Sequence, residues 1–320
     1  MTEQVPIYGG QAVIEGVMMG GRFATVTAVR RKDQSVTYYE CLKSSNPMFN
    51  RVKKIPLLRG IIAIFEASAV GSKHLNYSSD VYDELPETDE ARVKAAAAEK
   101  NSGRIRSILG LTTIGILSFL FAKFVFDLAP ALVAGSLQFL IHGHLGQVLL
   151  EGLIKVVLLI GYILLISQTP LIKRLFQYHG AEHKVINTFE SGVPLTVENV
   201  RAHSRLHYRC GSSFIVFTAI ISVFLYLFFP TDPLWLRLVS RLLLIPVDLG
   251  LAYEFLRMTN RFRHTPVLRY LGYPGLWVQY LTTKEPSDDQ IEIGIRAFEH
   301  MRAYDEQLAL EQQHEANCVI

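Results

Sequence analysis

Apolar and polar positions alternate with a period of two over residues 5–40, with glycine pairs at Gly9-Gly10 and Gly20-Gly21. That period predicts three short strands, "QAVIEGVMM", "FATVTAVRR" and "SVTYYECL", joined by turns, the last of them at Lys32-Asp33-Gln34. After Pro56, "LLRGIIAIFEASAVGSKHL" has a helical apolar pattern interrupted by Arg59 and Glu66. Its uninterrupted runs fall short of the roughly 20 residues that cross a bilayer, so an interfacial or core-packed helix is expected. Residues 78–104 turn polar, with the acidic "SSDVYDELPETDE" and then "ARVKAAAAEK", which has strong helix formers but no apolar stripe. They read as a solvated linker.

Four apolar segments follow: Ile105–Asp127, Val148–Thr169, Phe214–Phe229 and Leu234–Leu256. The first two have the length of a membrane span, the third is a little short, and the fourth carries Arg237, Arg241, Asp248 and Pro246. Glu151 and Lys155 are spaced as an i,i+4 pair, and Asp248 should face a bundle interior with Arg241 as partner. Towards the C-terminus, "LGYPGLWVQYLTTKEPSDDQ" reads as a loop, and Ser287 and Gln290 as a capping box opening a helix over Asp288–Gln312.

The expected fold is therefore membrane α-helical, with about four transmembrane helices, a small N-terminal β-rich cytosolic region and a C-terminal cytosolic helix. Its parts are a β-rich region (1–54), an interfacial or core-packed helix (55–77) and a charged linker (78–104). A transmembrane bundle (105–256) carries a cytosolic helical hairpin (170–211), and a C-terminal loop and helix (257–320) follow. Composition agrees: half of the 320 residues are hydrophobic and 19% charged, more apolar than a soluble domain of this length. The net charge of +3 is too small to point to a nucleic-acid partner. Basic residues cluster at Lys94–Arg106, Lys173–Arg209 and Arg257–Arg263, whereas 128–147 has none. That asymmetry places both termini and the 170–213 loop in the cytosol. The first ten residues lack a basic region and an apolar core, so no cleavable signal peptide is expected. Cys41, Cys210 and Cys318 are widely spaced, which points to reduced thiols.

The candidate chemistry sits in "YHGAEHKVINTFESG", residues 178–192. With Pro170 starting a helix and Gly192-Val193-Pro194 ending it, His179, Glu182, His183 and Glu190 share one face. Two imidazoles at i,i+4 can hold a divalent ion, and Glu182 beside them can take a proton from water bound there. H-x-x-E-H is the reversed zincin motif of the inverzincin metalloproteases. A second helix, capped by Thr196, would carry His203 and His207 at i,i+4 with Cys210 on the same side and Arg201, Arg205 and Arg209 opposite. The third ligand of an open site is sought among Glu254, Glu190, His203 and His207, and Glu15 reaches the site if the strand region docks on it.

The motifs "GGQAVIEGVMM", "YHGAEHKVINTFESG", "HSRLHYRCG", "AYEFLR" and "PGLWVQYLTTKEPSDDQ", in this order, resemble the bacterial YqhQ-like family, multi-pass membrane proteins usually labelled predicted metal-dependent enzymes. The resemblance spans nearly the whole chain apart from the acidic linker and the last residues. It implies a protein of the bacterial cytoplasmic membrane with a metal centre drawn from His179, Glu182, His183, Glu190, His203, His207 and Glu254. The favoured function is a membrane-embedded hydrolase acting near the cytosolic leaflet, with zinc or a similar divalent ion and Glu182 as general base. The alternative is a metal-stabilised scaffold or assembly factor, in which His203, His207 and Cys210 with one more ligand close a structural site. A di-iron oxygenase is the lesser alternative, since such sites use about eight histidines in histidine boxes.

Overall fold

The computed structural model describes residues 8–43, 51–83, 121–122 and 124–318. The chain divides into two compact units. The first comprises Met1–Asp83, Ile163–Phe217 and Leu249–Ile320, the second Glu84–Tyr162 and Thr218–Asp248.

The first unit is built on an antiparallel meander of four strands rather than three: β1 (Gly9–Val13), β2 (Gly16–Gly20), β3 (Ala24–Arg30) and β4 (Val36–Leu42), in the order β1-β2-β3-β4. The first expected strand is a hairpin, because Val13 pairs with Gly16 across a two-residue turn. Glu15 takes the left-handed conformation there, with φ 50°. The turn has no Asn-Gly or Pro-Gly signal, so the apolar alternation runs straight through it. What offsets the unusual backbone is tertiary: the Glu15 carboxylate accepts from Arg174 Nη2 at 2.6 Å and from the Tyr178 hydroxyl at 3.0 Å.

Both sheet faces are covered, and the period of two sorts the side chains between them. Val17, Met19, Val26 and Ala28 pack with Ile291, Ile293, Phe298 and Met301 of the C-terminal helix. Val13, Met18 and Val29 on the other face pack with Val81, Val70 and Tyr77 of a helix that spans Leu58–Asp83 (α1). Thr25 and Thr27 on that same face bond both ring nitrogens of the buried His74 of α1, at 2.9 and 2.6 Å. α1 thus runs six residues into the segment expected as linker, and it does so because Val81 packs on the sheet and Ser78 Oγ accepts from the Ile14 N–H of the β1–β2 turn. The remainder of the expected linker, residues 84–104, lies outside the described residues.

The second unit contains Ala129–Ser136 (α2), most of His144–Ile166 (α3), and parts of Gly211–Tyr226 (α6) and Leu234–Arg261 (α7). The architecture differs from the expected four transmembrane helices. Among the described residues, α3 is the one helix long and apolar enough to cross a membrane. Most of Ile105–Asp127 falls outside the described residues, and α6 has only 16 residues. α7 carries Arg237 and Arg241, which are buried against protein: both bond Glu151 of α3, at 2.8 and 2.9 Å. Glu151 therefore pairs with these two arginines rather than with Lys155 as expected. Lys155 bonds Asp127 at 2.6 Å and Ser222 at 2.9 Å.

Between these elements lie Pro170–Glu190 (α4) and Val197–Ala202 (α5). After α7, Tyr273–Thr282 (α8) occupies part of the segment expected as loop, and Asp288–Cys318 (α9) closes the chain. Half of the capping box at the start of α9 forms: the Gln290 side chain accepts from the Ser287 N–H at 3.0 Å.

Candidate metal centre

α4 is the organising element of the site. Thr169 is its N-cap residue, Pro170 stands in the first turn, where a missing N–H costs nothing, and Gly192 takes φ 74° just beyond its end. Its middle, Tyr178 to Ile186, is almost wholly buried, including the charged Glu182 and Lys184. Two glycines permit that burial. A Cβ on Gly180 would lie 2.1 Å from the Lys284 carbonyl, so the chain after α8 presses directly on α4 there. A Cβ on Gly10 would meet the Met18 carbonyl and the Glu182 side chain, so β1 can lie against Glu182 only without one.

The expected second helix bearing His203, His207 and Cys210 stops at Ala202, and residues 203–210 are irregular. Their carbonyls find partners on α4. Lys184 Nζ donates to Arg201 O and His203 O at 2.9 and 2.8 Å, and Asn187 Nδ2 to Ser204 O and Leu206 O at 2.7 and 3.0 Å. From α8, Gln279 clamps His207 by accepting from its N–H at 2.8 Å and donating to its carbonyl at 2.7 Å. This bracing delivers Cys210 to the start of α6, beside the two histidines of α4.

His179, His183 and Cys210 bring one donor atom each to a common place, all within 4.8 Å of one another. His179 Nδ1 lies 2.8 Å from Thr282 O, and His183 Nδ1 2.6 Å from Arg205 O. A carbonyl only accepts, so each Nδ1 carries a hydrogen, and Nε2 is the ring nitrogen left to bind an ion, which on His179 displaces the Nε2 proton. His179 Nε2 is 3.2 Å from Cys210 Sγ. Bonds of about 2.0–2.3 Å to a tetrahedral ion place ligand atoms roughly 3.3–3.7 Å apart, so the set closes on zinc with a contraction of about 1.5 Å at most.

Electrostatics bind the three groups together. Burial alone would raise the Cys210 thiol, but His179 and His183 outweigh it and hold the thiol well below its ordinary value. The start of α6 favours the thiolate as well. Burial disfavours charge on His179, yet Cys210 and Glu182 carry its pKa up to about 9. Burial raises Glu182 above the ordinary carboxylate range, against the pull of His183 and His179.

The other expected ligands go elsewhere. His203 bonds Asn199 O and Ser191 Oγ at 2.7 and 2.8 Å. Glu254 is held by Arg59, with Nε–Oε1 at 2.6 Å. Glu190 pairs with Arg209 and Arg263, and Glu15 docks on the first half of α4 through Arg174 and Tyr178. His207 lies close by, its ring centroid 5.7 Å from that of His183, without joining the donor set. Sequence reasoning grouped Cys210 with His203 and His207, on a helix that does not form. It missed Gln279 and Thr282 altogether, because polar residues within "PGLWVQYLTT" carry no local signal of a buried clamp.

The family model described as "Protein of unknown function (DUF1385)" matches residues 55–304. The "Uncharacterized protein YqhQ" of Bacillus subtilis (strain 168) is 55% identical over 296 residues, 92% of each chain. No solved structure matches. The chain belongs to the DUF1385 family, whose function is not established.

Proposed function

We propose that this DUF1385 member is a zinc-type hydrolase whose metal is held by His179, His183 and Cys210. The observation that carries the reading is the convergence of one donor atom each from His179, His183 and Cys210, with both Nδ1–H groups already committed to carbonyls. Two imidazoles and a thiolate suit zinc better than magnesium or calcium, which prefer oxygen ligands. Three protein ligands leave a fourth position, where the ion would supply Lewis acidity and lower the pKa of a water. Glu182 is the proton acceptor. Its burial beside both histidines raises its basicity, and the close approach of β1 at Gly10 holds it in place. The lipid bilayer is the partner proposed for α3, a 23-residue helix whose Leu145, Leu149, Leu153 and Val157 are exposed.

A second reading is a closed structural site, favoured by the burial of Glu182 against the same two rings, where it would complete a set of four ligands. Metal analysis and cobalt substitution test both readings. About one equivalent of zinc is expected per chain, lost in His183→Ala and Cys210→Ser and retained in Glu254→Gln and His203→Ala. The cobalt form should change its visible spectrum when azide is added, which an open position allows and a closed one prevents. Zinc below a tenth of an equivalent in the wild type, unchanged by His183→Ala, would refute any metal reading.

A further inference from the structure

Glu190, the last residue of α4, lies outside the donor set but is ringed by cationic and polar groups. Its Oε1 accepts from Arg209 Nη2, and its Oε2 lies 3.3 Å from Arg263 Nη1. The same Oε2 is 3.8 Å from His207 Nε2, beyond hydrogen-bond distance. The His207 side chain is only 6% exposed, and its Nε2 has no hydrogen-bond partner. Arg209 Nε is buried and unpartnered in the same way.

Two guanidinium groups against one carboxylate leave one positive charge in excess. The geometry also leaves the Arg209 fork half used. Glu190, tethered to α4, reaches Nη2 while the adjacent Nε–H stays unmet, although a guanidinium edge matches two oxygens at once. An untethered oxyanion has no such restriction and can engage Nε, Nη2 and His207 Nε2 together. Buried polar atoms are rarely left without partners, so two of them around one carboxylate indicate a group larger than the one now seated there. The place also suits a substrate: the His207 ring lies between it and His183, the centroids 5.7 Å apart.

We infer that Glu190 is the internal occupant of an oxyanion subsite, and that Arg209, Arg263 and His207 receive the carboxylate or phosphate group of an anionic substrate there. The oxyanion site stands on its own geometry; only its service to a substrate rests on the hydrolase reading. Glu190 ends its helix, and its side chain is 23% exposed.

Calorimetric titration of the full chain with inorganic phosphate and, separately, with acetate tests this, with metal content measured in every sample. Glu190→Gln removes the competing charge and should tighten binding by about tenfold, the equivalent of about 1.4 kcal/mol. Tightening towards phosphate alone indicates a phosphorylated substrate, and tightening towards acetate as well a carboxylate. Arg209→Gln and Arg263→Gln should weaken binding at least as much, and Glu190→Gln carries the test if either arginine variant fails to fold. His183→Ala, depleted of metal, should bind the anions as the wild type does, which keeps this result separate from the metal reading. The inference is overturned if Glu190→Gln binds neither anion more tightly than the wild type. It also falls if His183→Ala abolishes binding, since the anion would then have occupied the metal position.

Discussion

Gln279 is fully buried, and all three hydrogen bonds of its side chain serve the segment that carries Cys210. Its Oε1 accepts from the His207 N–H at 2.8 Å, and its Nε2 donates to His207 O and to Ser213 Oγ, both at 2.7 Å. Gln279→Leu keeps much of the volume and removes every polar atom. The Ser213 hydroxyl can rotate to another acceptor, but the two His207 backbone groups cannot leave the interior. Each buried group left unmet costs about 1–3 kcal/mol, so the pair should cost roughly 2–6 kcal/mol. For a chain of this size that corresponds to a fall in Tm of roughly 3–9 °C. The loss should also loosen Cys210 and weaken zinc binding by about 10–100-fold, as expected when an outer support of a ligand is removed. Thermal unfolding by circular dichroism and zinc titration against a competing chelator measure the two effects. If Gln279→Leu melts within about 2 °C of the wild type and binds zinc equally well, the clamp is not what positions the thiol.

The metal-free protein should present Cys210 as a thiolate at neutral pH. The alkylation rate of Cys210 against pH should therefore have its midpoint well below the ordinary thiol range, and His179→Ala should move it up; an unmoved midpoint would remove His179 as the partner. The sign for stability follows: His179, raised from 6.5 to about 9, contributes below 6.5 and loses that contribution as pH rises through about 9. Burial and the charge of Lys73 lower His74 from 6.5 to about 4, so its contribution is complete above 6.5 and lost as pH falls through about 4. That shift amounts to about 3 kcal/mol of acid-limb stability, to be read as a flatter acid limb in denaturant unfolding of His74→Leu; an unchanged limb would exclude His74. Glu182→Gln should retain zinc yet lose hydrolysis of p-nitrophenyl acetate by about 100-fold or more; full activity would eliminate Glu182 as the proton acceptor.

What the sequence determined by itself was local. Pro170 and Gly192 bound α4, and helical spacing alone puts His179, Glu182 and His183 on neighbouring turns. The alternation over residues 5–40 likewise dictates strands, because a period of two is a property of the backbone. Tertiary structure decided everything that depended on which partner a group would find. Residues 203–210 have the spacing of a helix but are held open because Lys184, Asn187 and Gln279 satisfy their backbone groups in an irregular form. That choice turns His203 to Ser191 and brings Cys210 to the histidines of α4. Arg237 and Arg241 followed the same logic: their hydropathy is a property of the residue, but their burial depends on Glu151 lying across from them on α3. Charge satisfaction is a long-range condition, and no window of neighbouring residues contains it.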